Sequence, residues 1–170
     1  MLPIIGLGWA FIGLASAPQE RTFQDLAPAA IDASLAALAP RVQSGRRAVV
    51  YVDTTSFRAG AQGWGERDFD MDAFTRRLHP DLRPIASGDA FHCVRGAHTK
   101  CHVGSDDGIV LALDHATTSA TGARIMVSAK WIKTRPSGED QLGRVQWVLN
   151  FAWVNNQWRL QGAPSVSRES

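Results

Sequence analysis

The chain has 170 residues, 45% of them hydrophobic and 20% charged, with 18 Lys and Arg against 16 Asp and Glu and a formal net charge of +2. That length supports one buried core and leaves little room for a second domain. The basic residues fall in scattered pairs such as Arg46-Arg47 and Arg76-Arg77, too dilute for a dedicated nucleic-acid surface, so nucleic acid is not expected as a partner.

Residues 2–17 are uncharged and mostly apolar and end in Ala15-Ser16-Ala17, the shape of a secretory signal's apolar region and cleavage site. The stretch is too short for an ordinary membrane span, and Gly6, Gly8 and Gly13 disfavour a soluble helix. No Lys or Arg precedes it, and Pro18 would follow a cut at Ala17, so cleavage after Ala15, an uncleaved anchor and a buried helix stay open as alternatives. The expected organisation is a signal peptide at 1–17, a single α+β domain at 18–163 and a frayed tail at 164–170. Such a protein is secreted or periplasmic and meets a membrane only through an uncleaved leader.

From Gln24 to Val42, the residues Leu26, Ala30, Ile31, Leu35, Leu38 and Val42 recur at helical spacing. This predicts an amphipathic helix with Pro28 in its first turn and Pro40 with Ser44-Gly45 closing it. Ala48 to Phe57, AVVYVDTTSF, reads as a strand rich in β-branched and aromatic residues. The next stretch, RAGAQGWGERD, holds three glycines and a tryptophan and reads as a surface loop. Asp68, Asp70 and Asp72 then favour the start of a second helix, with a buried stripe of Met71, Phe74 and Leu78 and an end at His79-Pro80.

Beyond Pro84 the chain reads as strands at Ala90 to Arg95, Lys100 to Ser105, Ile109 to His115, Arg124 to Arg135, Arg144 to Val154 and Gln157 to Gln161. Short links bearing Gly, Asp, Asn and Ser make these neighbours antiparallel. Asn155-Asn156 suits a tight primed turn that sets Trp153 opposite Trp158. Alternation places Trp147, Leu149, Phe151 and Trp153 on one face with Trp158 and Leu160, and turns Gln146 and Asn150 the other way. Such an aromatic row can stack on a sugar or a base, but it is also an ordinary way to build a sheet core, and these tryptophans are assigned to the core.

The densest cluster of reactive residues lies between Phe91 and Val103, where Cys93, Cys101, His92, His98 and His102 fall close together. A turn centred on Ala97 sets Cys93 opposite Cys101 and His92 opposite His102, on different faces, so four ligands do not converge on a zinc ion. A disulfide between Cys93 and Cys101 is expected instead, worth no more than about 2–3 kcal/mol because its loop is short. Asp114 and His115 are adjacent strand residues that face apart, which excludes direct acid–base cooperation. Asp53 lies in an apolar strand, where a carboxylate must find a partner or shift its pKa; a strand-end carboxylate facing water is nevertheless the preferred reading. Asp106-Asp107-Gly108 lacks the further ligands of a calcium loop, and neither a G-x-S-x-G nucleophile context nor a phosphate-binding glycine loop is present.

An amphipathic helix, a strand, a second helix and then long antiparallel strands ending in the W-V-N-N-Q-W-R-L hairpin form an order that resembles the nuclear transport factor two-like superfamily, over about Gln24 to Gln161. The resemblance implies a curved sheet wrapped round helices as a cone. It also implies relatives of two kinds: isomerases, dehydratases and polyketide cyclases acting on apolar substrates in the cone, and others that only bind or dimerise. The enzymes use pocket Asp, His or Tyr residues, whose loose counterparts here are Asp53, Asp114, His115 and Tyr51. The expected fold is α+β, a curved antiparallel sheet of about six strands packed on two helices, cone-like.

Three functions compete. An exported module binding a small molecule or a protein would use Trp64 and Tyr51 to line an apolar pocket. A small isomerase- or dehydratase-type enzyme would use Asp53 as its base. A metal-binding hairpin would use His92 and His102 with a further ligand. No cofactor is expected.

Overall fold

The computed structural model of the chain describes residues 21–39, 49–94, 96, 99–104, 108–119 and 121–170. The expected leader at 1–17, the expected helix end at Pro40 to Val42 and His98 lie outside the described residues.

Thr22 opens the first helix, α1 (Phe23–Leu38). Its hydroxyl accepts the Asp25 amide at 3.2 Å and donates to the Asp25 carboxylate at 2.8 Å, which satisfies a donor the helix itself cannot. The Glu66 carboxylate takes the next two amides, those of Phe23 and Gln24. Phe23, Leu26, Ala27, Ala30, Ile31 and Leu38 form the buried stripe. Pro28 sits one turn further into the helix than the sequence suggests, with consequences for the site described below.

The apolar run yields only a short strand, β1 (Val50–Asp53), because Asp53 ends it and starts a helix. Its Oδ1 accepts the amides of Thr55 and Ser56 at 3.1 and 3.2 Å. The stretch expected to be a loop is therefore helix α2 (Thr54–Trp64), closed by Gly65 at φ 98° in the left-handed conformation that glycine adopts freely. Gly60 is a packing residue: a Cβ there would lie 1.9 Å from Leu113 Cδ2 and 3.1 Å from the Phe23 ring. Glycines that read as loop signals are here a helix cap and a close approach.

Asp70 caps α3 (Met71–Arg76) by accepting the Ala73 amide at 2.8 Å, as the acidic cluster predicts. Strand β2 (Leu82–Ile85) and the single turn α4 (Ser87–Ala90) follow, neither signalled by the sequence. Then come the hairpin β3 (Phe91–Val94) and β4 (Lys100–Val103), the long strands β5 (Ile109–Thr118), β6 (Gly122–Thr134) and β7 (Asp140–Val154), and the short β8 (Gln157–Leu160). Residues expected to fray form β9 (Ser165–Glu169), paired with β7 between Val145 and Val148.

The main sheet curls into a half-barrel in the order β2-β1-β5-β6-β7-β8, with β9 also on β7. The curved α+β fold matches expectation, but the sheet is mixed: β1 runs parallel to both β2 and β5. The physical reason is that the chain returns to the starting end of the sheet twice, through α2 and α3 before β2 and through α4 and the β3–β4 hairpin before β5. Four helices, rather than two, are present among the described residues.

The hollow of the sheet is filled. Six ring contacts of 5.0–6.2 Å join Trp153, Trp158, Trp64, Phe23, Phe69, Phe74 and Phe57 in series across it. Ile125, Val127, Trp147, Leu149 and Phe151 line the sheet beneath. A smaller cluster on the other face joins Tyr51 and Val110 to Ala90 and Val103, and so seats the β3–β4 hairpin.

Candidate functional site

The site begins with Pro28. Proline has no amide hydrogen, so the Gln24 carbonyl one turn earlier lacks its helical donor at i+4. The Arg77 guanidinium, just past α3, donates to that carbonyl at 3.3 Å and pairs with Asp25 at 2.9 Å. Gln24 itself binds the Asp70 backbone twice, at 3.0 Å each way. A proline inside a helix is therefore compensated by an arginine from another element, which fixes where α1 and α3 meet.

Opposite stands the closing hairpin. Asn155 and Asn156 take φ of 51° and 59°, the geometry of a primed turn, and Trp153 pairs with Trp158 as expected, with ring centres 5.0 Å apart. The Trp158 indole donates to the Thr22 carbonyl at 3.3 Å, tying the hairpin to the start of α1. Trp147, Leu149, Phe151 and Trp158 are core residues, whereas Trp153 is only half-buried and Leu160 is exposed, because β8 is short and lies at the sheet edge.

Between these elements lies an open cleft of about 400 Å³, walled by Asp25 and Arg77 on one side and by Trp153, Asn156, Gln157 and Trp158 on the other. The Trp153 indole supplies an apolar surface, and the charged pair and the amides make the rest of the lining a mostly polar, hydrogen-bonding rim. The Arg77 and Asp25 side chains are 48% and 31% exposed. An ion pair so wet adds little stability, and both groups keep an exposed side to offer a ligand while holding their bonds at the α1–α3 junction.

The residues singled out in the sequence lie elsewhere. Asp53 is buried, with Oδ1 on the α2 amides and Oδ2 accepting the Ser87 hydroxyl at 2.6 Å. Its carboxylate is a cap, which corrects the reading of a strand end facing water. Tyr51 is buried in the smaller cluster, its ring against the positions of Gly104 and Gly108, where a Cβ would lie 2.6–2.8 Å away. Trp64 belongs to α2 rather than to a loop, and packs on Phe23 at 5.8 Å and on Trp158 at 6.2 Å. Neither aromatic residue lines the cleft.

Cys93 and Cys101 are disulfide-bonded, in the expected register, and His92 faces His102. Asp140 anchors this hairpin to the main sheet. Its Oδ2 accepts the Cys101 amide at 2.9 Å and its Oδ1 the Thr134 hydroxyl at 2.7 Å, while its own amide donates to the Thr99 carbonyl at 3.1 Å. The Cys101 amide, then the Thr134 hydroxyl, hold the Asp140 carboxyl below its ordinary value; burial opposes them and Lys100 adds to them.

Asp114 and His115 correct a different expectation. Leu113 pairs with Val127 and His115 with Met126, so Asp114 is an extra residue in a bulge. The bulge brings both side chains to the face away from α1, where Asp114 accepts bonds from Ser128 at 3.2 Å, Gln146 at 2.7 Å and Arg144 at 2.8 Å.

Sequence reasoning misses Asp25, Arg77 and Trp153 as a group. The available signal is Pro28, whose position past the first helical turn demands an outside donor for the Gln24 carbonyl. Fold and cleft together define an α+β protein with a filled, curled sheet and an aromatic groove at its edge. No family model, curated protein or solved structure matches the chain.

Proposed function

We propose that the protein is an exported binding module whose ligand is a small ring-shaped molecule with polar edges, of the saccharide kind, held in the cleft beside Trp153. The observation that carries this reading is that the half-buried Trp153 and the Asp25–Arg77 pair line the same cleft. An indole face takes the apolar side of such a ring, while the carboxylate, guanidinium and amides of Asn156 and Gln157 take its hydroxyls. Binding is favoured over catalysis because the carboxylate offered as a base, Asp53, has both oxygens committed to a cap and to Ser87.

Export is supported by the Cys93–Cys101 disulfide, since such bonds persist in oxidising compartments. Among the described residues, no helix is long and apolar enough to cross a membrane. Membership of the nuclear transport factor two-like superfamily is proposed with it, on the support of a curled sheet holding α1 in its hollow.

Saturation-transfer NMR against a panel of mono- and disaccharides tests the ligand class. At least one member binds, and Trp153→Ala and Arg77→Ala each weaken it about tenfold or more, which is about 1.4 kcal/mol. Circular dichroism checks that both variants are folded. A panel without a binder at millimolar concentration, or folded variants that bind like the parent, would sink the reading.

A further inference from the structure

We propose that His92 and His102 form an open zinc site on the outer face of the β3–β4 hairpin, remote in role and residues from the cleft. Alternation along the two strands turns Phe91 and Val103 inward, into the smaller core, and His92 and His102 outward. Both imidazoles are exposed, with ring centres 5.3 Å apart and planes inclined by 28°. A tetrahedral ion with Zn–N bonds of about 2.0–2.1 Å, and a ring centre about 1.1 Å behind each nitrogen, sets two imidazole centres about 5.2 Å apart. The two rings stand at about that separation but stacked, so each must turn about its side-chain torsions to aim a nitrogen at one shared ion.

Two further features prepare the pair. The Cys93–Cys101 disulfide occupies the adjacent cross-strand position and locks the register that brings the histidines together. Ordering two free side chains costs binding energy, and a clamp made in advance removes part of that cost. Lys100 shares the outer face, but its ammonium is drawn to the Gly138 carbonyl at 2.7 Å and to Asp140 at 3.8 Å. Its charge is partly neutralised at the β6–β7 turn instead of opposing a cation over the imidazoles.

Among the described residues no group of three or more metal-ligating side chains occurs. The two imidazoles would therefore leave the remaining positions of a tetrahedral ion to water or to a donor from another molecule, which makes this an exchange site and not a structural one.

Calorimetric titration of the tag-free, oxidised protein with Zn²⁺ tests the proposal, with imidazole NMR shifts reporting which rings respond. One ion binds per chain, the His92 and His102 rings shift together, and His92→Ala or His102→Ala each weakens binding by about tenfold or more. The double variant Cys93→Ser with Cys101→Ser keeps both imidazoles and binds several-fold more weakly. Zinc affinity unchanged in the His92→Ala/His102→Ala double variant, or no binding by the parent at millimolar metal, overturns the site. Unchanged affinity in the cysteine variant overturns the part assigned to the clamp. Saccharide binding in the cleft is read separately, so failure of one assignment leaves the other standing.

Discussion

Asp53 joins three elements through one carboxylate: it ends β1, caps α2 and holds the start of α4 through Ser87. Removing an N-cap side chain costs about 0.5–2 kcal/mol, and leaving the Ser87 hydroxyl without its acceptor adds to this. Asp53→Ala should lower stability by about 2 kcal/mol in urea unfolding, while Asp53→Asn, which keeps an oxygen for the α2 amides, should lose less than half as much. Equal losses would mean that the cap contributes nothing and that charge alone matters. A carboxylate in an apolar strand raises the question of a partner, but the sequence favours a strand end facing water, and burial overturns that reading. The partner's identity is not legible, because Ser87 lies 34 residues along the chain in a turn with no sequence signal. Asp114 shows the same limit from the other side, for strict alternation separates it from His115 and only the bulge reunites them.

At the scale of elements, the register of the β3–β4 hairpin is legible because it depends on local alternation alone, whereas its mooring depends on Asp140, a residue remote in sequence. The Asp140 carboxyl titrates below its ordinary value of 3.8 because its ionised form accepts the Cys101 amide and the Thr134 hydroxyl. A carboxylate with a depressed folded pKa binds protons less readily in the folded than in the unfolded state. Its contribution is therefore complete above the ordinary value and is lost as pH falls through the folded pKa. The parent should be more stable than Asp140→Asn at neutral pH, with the gap closing as pH falls below 3.8. Denaturant midpoints of the two proteins between neutrality and acid would measure it, and a gap independent of pH would show that the mooring is not ionic. Helix α2 was the least legible element, and the cause is physical: Gly60 and Gly65 serve packing and capping, and sequence patterns cannot distinguish these uses from loop flexibility.

The whole molecule hangs on β7. This strand pairs along one side with β6, and along the other with β8 near Trp153 and with β9 near Trp147. Links between consecutive strands made most of this sheet foreseeable, but a tail of exposed residues carries no apolar pattern to announce a ninth strand. What holds β9 is polar. The Ser170 and Arg144 backbones exchange bonds of 3.0 and 3.1 Å, and the Ser167 hydroxyl donates to Gln146 Oε1 at 2.8 Å. Gln146 is buried and passes the connection to Asp114, which Arg144 and Ser128 also bind. Deleting 165–170 would bare the β7 edge from Arg144 to Val148 and leave a buried amide oxygen without its donor. The β9 side chains take no part in the main core, so the shortened chain should still fold. It should lose about 1–3 kcal/mol, the cost of an unsatisfied buried group, and the open edge should promote self-association. Ser167→Ala separates the two effects, since it removes the donor but keeps the strand. That variant should sediment like the parent and lose about 1 kcal/mol, whereas the deletion should both lose stability and associate further. A deletion that is as stable as the parent and sediments as it does would mean that β7 needs no partner at this edge.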